Sequence, residues 1–145
     1  MTEFVLPTHA NALGTVFGGQ ILAWMDLCAA ICVQRYTNAI CVTAGIDDLS
    51  FEEPIRVGEV VRLAARVTAA FRSSIEVLVD VRGEDTRTGR TWQCVRGYLT
   101  FVSLDHGKPT RVPPLLLDSD EDRAFAAAAA ERRSTRLARR ANQRG

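Results

Sequence analysis

Hydrophobic and polar positions along this chain change period twice. Residues 4–7, "FVLP", are apolar and stop at a proline, which predicts a short strand. Residues 8–19 read as a turn-rich loop carrying Gly14, Gly18 and Gly19. From about Gly19 to Tyr36 the chain is rich in Ala, Leu, Ile and Met and has no proline; it is too long for one strand and predicts a helix. Thirteen residues lie between Gln20 and Gln34, twelve of them apolar, with Asp26 the single charge. A helix apolar nearly all round is expected to be buried.

After Asn38 the period becomes two. Residues 40–51, "ICVTAGIDDLSF", predict a strand with apolar residues on both faces, ended by Pro54. Residues 57–68 place Val57, Val61, Leu63, Ala65 and Val67 on one side, with Arg56, Arg62 and Arg66 on the other. Next, Ile75, Val77, Val79 and Val81 alternate with Ser74, Glu76, Asp80 and Arg82, the clearest half-exposed strand. Residues 83–89 form a hairpin turn, 91–103 the last long strand, and "DHGKPTRVPP" closes the fold. The order predicts an α+β fold: one long helix against an antiparallel sheet whose strands are joined by short turns. One sheet face can cover only part of such a helix. A second copy of the chain or a ligand must bury the rest, so at least a dimer is expected.

From about Leu117 the chain starts acidic, runs through alanines and ends in arginines, an order that suits the helix dipole and predicts a solvated terminal helix that frays or packs on a partner. Seven arginines against five acids give residues 117–145 a charge of +2, leaving −1 for residues 1–116. The net charge of +1 argues against broad electrostatic binding of nucleic acid or of a membrane surface. The thirteen-residue apolar run is too short to span a bilayer, and "MTEFVLPTHA" lacks a secretory pattern, so the expectation is a cytoplasmic protein. The four cysteines, Cys28, Cys32, Cys41 and Cys94, form no C-x-x-C pair and have only His9 and His106 to help them, which predicts reduced, buried thiols and no metal site.

Candidate chemistry gathers around Asp26. The first N–H groups of a helix starting near Gly19 have no partner within it, and the Gly18-Gly19 pair lets a ligand approach that backbone closely. Free N–H groups there stabilise a negative oxygen, as an oxyanion hole must. Asp26 lies about two turns further in, where a weakly solvated carboxylate is a better base or nucleophile. Asn11 donates and accepts at once, which suits it to orient a water or a carbonyl. Residue chemistry alone also allows a buried aspartate that is merely structurally satisfied.

The stretch "LPTHANALGTVFGGQILAWMDLCAA" resembles the start of the hotdog-fold acyl-CoA thioesterases of the cytosolic long-chain or broad-specificity branch, whose bacterial members are single-domain. The pattern N-x-x-G-x-x-x-G-G-x(6)-D, met by Asn11, Gly14, Gly18, Gly19 and Asp26, is the specific part. "VTAGIDDLSFEEPIRVGEVVRLAARVTAAFRSSIEVLVDV" resembles the family's middle strands and "YLTFVSLDHGKPTRVPPL" its last strand and closing loop. Residues 1–116 are thereby taken as the hotdog domain, a long central helix wrapped by an antiparallel sheet; 117–145, the Ala/Arg-rich helix or tail, has no counterpart in the resemblance.

The resemblance implies hydrolysis of acyl-CoA to a free acid and CoA, with no cofactor, since CoA enters as part of the substrate. It implies sites at a dimer interface, with Asn11 of one subunit facing Asp26 of the other, and assembly as a hexamer, a trimer of dimers. Asp26 would act as general base or nucleophile, Asn11 would position the water or carbonyl, and the Gly18-Gly19 backbone would hold the thioester oxygen. Some members carry His before the glycine pair; here Phe17 puts a ring beside the site, with consequences for acyl selectivity. In relatives the stretch matching Phe71–Val77 lies near CoA, so Arg72, Ser73 and Ser74 are candidates for phosphate or pantetheine contacts, against an ordinary Ser-rich turn.

Thr43 and Ala44 are candidate acyl-channel residues. Adjacent Asp47 and Asp48 point to opposite strand faces, one towards solvent and one towards an interface. Arg56 is expected to cap a turn with Glu59, and His9 lacks a nucleophile at a recognisable spacing. Two alternatives remain. A hotdog dehydratase or hydratase would pair its acid with a histidine on the helix, and residues 19–36 contain none. A non-catalytic acyl-CoA-binding or sensor module would use the tail as its contact element.

Overall fold

In the computed structural model, which describes residues 1–145, the elements are β1 (Thr2–Phe4), a short 3-10 turn at Pro7–His9, α1 (Gly18–Thr37), β2 (Ile40–Phe51), β3 (Val60–Ala70), β4 (Ser74–Glu84), β5 (Thr91–Asp105), β6 (Lys108–Pro109) and α2 (Asp120–Arg144). All strand pairs are antiparallel, and the sheet runs β1-β3-β4-β5-β2 with β6 on β5. The first strand lies earlier than expected. Beyond Phe4, Val5 still donates to the Glu59 carbonyl at 3.0 Å and accepts from the Gly58 N–H at 2.9 Å, and the chain then enters the 3-10 turn at Pro7, which cannot donate to a ladder. The third also starts later than expected, at Val60, since Gly58 (φ 87°) turns the chain just before it.

The helix α1 begins without a side-chain cap and ends at Asn38, which adopts the left-handed conformation (φ 52°) and donates its N–H to the Gln34 carbonyl at 2.8 Å. Ile21, Trp24, Met25, Cys28, Ala29 and Val33 form its buried stripe, packed on Val61, Leu63, Ile75, Val77, Val79, Val95, Leu99 and Phe101 of the sheet. Its composition is apolar all round, but its burial is one-sided. Leu27 and Ile31 remain 57% and 45% exposed, and the terminal strand β2 exposes Ile40 and Val42 beside its unpaired edge. Neither helix is long and apolar enough to cross a membrane.

The second helix corrects the expectation of a solvated tail. Ser119 caps it by accepting from the Asp122 N–H at 3.0 Å, and Asp120, Glu121 and Asp122 fill its first turn. It docks on the sheet face opposite α1. Phe125, Ala129, Arg132 and Arg136 form one stripe, and each arginine meets a different strand. On β3, Arg66 lies 4.6 Å from the Phe125 ring and donates to Asp122 at 2.8 Å. On β4, Glu76 accepts two bonds from Arg132, at 2.9 and 2.8 Å. On β5, the Tyr98 ring lies 3.6 Å beneath Arg132, and on β2 Asp47 accepts from Arg136 at 2.6 Å. Eleven residues of helix advance about 17 Å, and four adjacent strands span about 14 Å, so α2 lies across the strands as a strap.

The strap explains why β4 is not half-exposed at every polar position, as its alternation predicts. Glu76 is only 2% exposed, a burial tolerable because Thr68 Oγ1 adds a third hydrogen bond at 2.7 Å to the two from Arg132. All four cysteines are free; Cys28 and Cys94 are buried, and Cys32 and Cys41 are half-buried. Burial, helped by the Glu52 carboxylate, pushes the Cys94 thiol up from 9.0 to about 11.

Two outcomes are expected. Arg132→Ala strands the Glu76 carboxylate and should cost about 3–5 kcal/mol in urea unfolding, whereas Arg132→Met combined with Glu76→Leu should recover most of that loss. Between the unfolded Cys94 value of 9.0 and the folded value of about 11, the unfolded chain has released the proton that the folded chain still holds. Stability therefore falls as pH rises through that window, and Cys94→Ala should flatten the fall in urea midpoint measured across it.

Candidate active site

Met25 packs against the sheet where β5 has no side chain. A Cβ on Gly97 would fall 3.1 Å from Met25 Cε and 2.8 Å from Leu49 Cδ1. This close approach brings the next helix residue, Asp26, within reach of β2, where Thr43 Oγ1 donates to Asp26 Oδ1 at 2.5 Å. Asp26 is half-buried, at the margin between the covered and the open face of α1. It is therefore less enclosed within this chain than its apolar neighbours in sequence suggest.

One end of α1 supplies free donors. Phe17 N–H donates to the His9 carbonyl at 2.8 Å and the Gln20 N–H to the Phe17 carbonyl at 3.0 Å, whereas the N–H groups of Gly18 and Gly19 donate to nothing in the chain. The Phe17 ring, 59% exposed, lies over Gly19, where an added Cβ would come within 2.9 Å of it. Gly18 opens onto a groove whose apolar lining is Val16, Ile21, Phe51, Ile55 and Cys94, with Glu52 and Glu53 also on its wall. The sequence reading missed this groove, because its lining comes from separate segments brought together only by folding.

Asn11 is held by its own loop. Its Oδ1 accepts from the Leu13 N–H at 2.9 Å and the Thr15 N–H at 3.3 Å, and its Nδ2 donates to Thr15 Oγ1 at 2.9 Å. No hydrogen bond joins Asn11 to Asp26 within the chain. His9 is structural: its Nδ1 accepts from the Leu6 N–H at 3.1 Å and its ring meets Trp24 edge-on at 4.9 Å. The Arg56 turn is closed as expected by Glu59, through the Arg56 backbone N–H at 2.7 Å.

On β2, Thr43 pairs across the sheet with Phe101, which in turn pairs with Ile75. Ser74 lies one row beyond, placing the Phe71–Ser74 turn about two strand spacings, or about 10 Å, from Thr43. Main-chain bonds fix that turn: Phe71 N–H to the Ser74 carbonyl, Ser103 N–H to the Ser73 carbonyl and Val112 N–H to the Arg72 carbonyl. The Arg72 guanidinium and the Ser73 and Ser74 hydroxyls make no hydrogen bond within the chain. Ala44 is the extra residue of a bulge, since the register jumps from Thr43↔Phe101 to Gly45↔Thr100. Asp48 is exposed with φ 52°, while Asp47 is taken by Arg136 of its own chain. The Thr43 hydroxyl on Asp26 is the contact no spacing rule reveals, because it joins a helix to a strand at the open margin of the core.

The thioesterase superfamily matches residues 13–90. The acetyl-coenzyme A thioesterase of Rattus norvegicus is 36% identical over 138 residues, 94% of this chain; the chain spans only 25% of that protein's length. An apo-hexameric acyl-CoA thioesterase superposes with a TM-score of 0.91 at 36% identity, over 97% of this chain and 91% of the other. The acyl-CoA hydrolase of Staphylococcus aureus, in complex with butyryl coenzyme A, coenzyme A and coenzyme A disulfide, superposes at 0.89 with 35% identity, over 99% of this chain and 88% of the other. Both likenesses take in α2, so the C-terminal segment does have counterparts. Structures of the staphylococcal enzyme also exist with alanine replacing an asparagine, an aspartate or a threonine. Those positions are separated by fifteen and then seventeen residues, the intervals that separate Asn11, Asp26 and Thr43.

Gly19→Ala tests the packing at the helix start. The new methyl displaces an exposed ring while improving helix propensity, so unfolding stability should stay within about 1 kcal/mol of wild type by urea titration.

Proposed function

Since the chain belongs to the thioesterase superfamily and shares the hotdog fold of its acyl-CoA thioesterase neighbours, we propose that it hydrolyses acyl-CoA thioesters to a free acid and CoA at a site built by two copies. The observation that carries this reading is the Asp26 carboxylate, held by Thr43 of β2 and carried by the same helix whose start offers the unpartnered Gly18 and Gly19 N–H groups. The shared intervals among Asn11, Asp26 and Thr43 support it.

Thr43 fixes one carboxylate oxygen and leaves the other for water. As general base, Asp26 takes a proton from that water while the oxygen attacks the thioester carbonyl carbon. The carbonyl oxygen becomes an oxyanion, received by the Gly19 N–H with help from Gly18. As the tetrahedral intermediate collapses, the C–S bond breaks, and the leaving CoA sulfur takes up the proton that Asp26 removed from the water, which restores the carboxylate. Asn11 of the second copy positions the water or the carbonyl. The open face of α1 with Leu27 and Ile31, the loop residue Leu13 (82% exposed) and the free edge of β2 provide the apolar surface for that copy. The hexameric state of a structural neighbour supports a trimer of such dimers. The groove at Gly18 receives part of the acyl chain, Phe17 screens its mouth, and Arg72, Ser73 and Ser74 meet the phosphates or pantetheine. Asp26 as a nucleophile remains a second route, separable by one turnover in 18O-water: label recovered in Asp26 marks an acyl-enzyme.

Thiol release from a panel of acyl-CoAs tests the proposal. Asp26→Ala should lower kcat by about 100-fold or more, and Asn11→Ala should also impair it. Mixing the two inactive variants and allowing subunits to exchange should restore up to about a quarter of wild-type activity, because half the dimers are mixed and each carries one intact site. Tight acyl-CoA binding without thiol release would overturn the enzyme reading. Failure to complement despite exchange would place Asn11 beside its own Asp26.

A further inference from the structure

We propose that the Asp47–Arg136 ion pair is a positioning device for this site: by fastening β2 to α2, it maintains the bulge that turns the Thr43 hydroxyl onto Asp26. The inference rests on Asp26 being the reacting carboxylate.

Within one chain β2 is the terminal strand, hydrogen-bonded only to β5, and that ladder breaks twice within a few residues. One break lies between Thr43 and Gly45, the other between Asp47 and Ser50, where Asp48 adopts φ 52°. Only Gly45, Ile46 and Asp47 are in register between them, opposite Thr100, Leu99 and Tyr98. Regular alternation would put residues 43, 45 and 47 on one face. The extra residue Ala44 changes that. Thr43 shares the α1 face with Phe101, while Gly45 and Asp47 share the α2 face with Thr100 and Tyr98. The bulge is therefore the condition for both contacts at once: Thr43 to Asp26 at 2.5 Å, and Asp47 to Arg136 at 2.6 Å.

Such a short register is weakly specified by its ladder alone, and a slip of one residue exchanges faces. It would move Thr43 off Asp26 and Asp47 off Arg136 together. The side chains of Arg136 and Asp47 are only 17% and 21% exposed, so separating them leaves charge in a poorly solvated place. Arg136 is itself fixed, because Arg132, one helical turn earlier, is clamped between Glu76 and the Tyr98 ring. Arg139 lines the same groove between α2 and the Asp47–Asp48 corner but makes no ion pair, and so serves as control.

The test uses the full chain with Arg136→Ala, Arg136→Lys, Asp47→Asn, Thr43→Val, Arg139→Ala and the Arg136→Ala/Thr43→Val double variant. Arg136→Ala and Asp47→Asn should lower kcat about tenfold with KM changed less than about twofold, Arg136→Lys should recover most of the loss, and Arg139→Ala should match wild type. The double variant should be no slower than Thr43→Val alone, since both changes remove the same contact; a merely structural role would multiply the two losses. Amide exchange over residues 42–47 should accelerate in Arg136→Ala and not in Arg139→Ala. Wild-type kcat in Arg136→Ala, multiplicative losses, or unchanged exchange over 42–47 would each overturn the proposal. If wild type releases no thiol, the hydrolase reading fails on its own, and the exchange experiment still decides whether Arg136 holds the bulge.

Discussion

A helix that is apolar on nearly every side, resting on a sheet that can cover only one of them, governs the rest of this structure. Met25, Ala29 and Val33 vanish into the core, whereas Leu27 and Ile31 on the same helix stay open to solvent. Asp26 sits on the boundary between these faces, the one place where a carboxylate can be held by Thr43 and still meet something from outside. A charge deeper in the stripe would be desolvated without a partner, and one further round would be an ordinary surface acid. Asn11 is satisfied within its own loop, and in the proposed chemistry a second copy over the exposed helix face supplies its counterpart.

The opposite face of the sheet carries a different device. There α2 crosses four strands, and its arginines turn polar alternation into attachment: Arg66 reaches back from β3, Arg132 buries Glu76, and Arg136 takes Asp47. Burying Glu76 costs desolvation, and three hydrogen bonds offset it in a geometry that only this placement of the helix satisfies. The net effect on stability is smaller than the number of bonds suggests. The gain is in where α2 lies, and the bulge at Ala44 makes that placement matter at Asp26.

Much of the fold was legible in the chain. The run around Asp26 marked α1, the change to period two after Asn38 marked β2, and the Ile75–Val81 alternation marked β4. Less legible was anything that depends on two segments meeting. β4 reads as half-exposed because Glu76 is polar, and nothing near it in sequence announces Arg132, fifty-six residues away. The arginine-rich tail reads as solvated because its stripe carries two arginines and becomes a docking face only against Glu76 and Asp47.

The sequence by itself determined the strand and helix pattern, the spacing of Asn11, Gly18, Gly19 and Asp26, and the excess of apolar surface that calls for a partner. These are local or periodic properties, set by propensity, capping and hydrophobic alternation within each segment. The tertiary structure decided that Thr43 donates to Asp26, that Gly97 lets the helix come close enough for it, and that α2 is strapped across the back of the sheet. Those contacts join residues far apart in the chain, and their existence depends on register, bulge and crossing angle, which no single segment encodes.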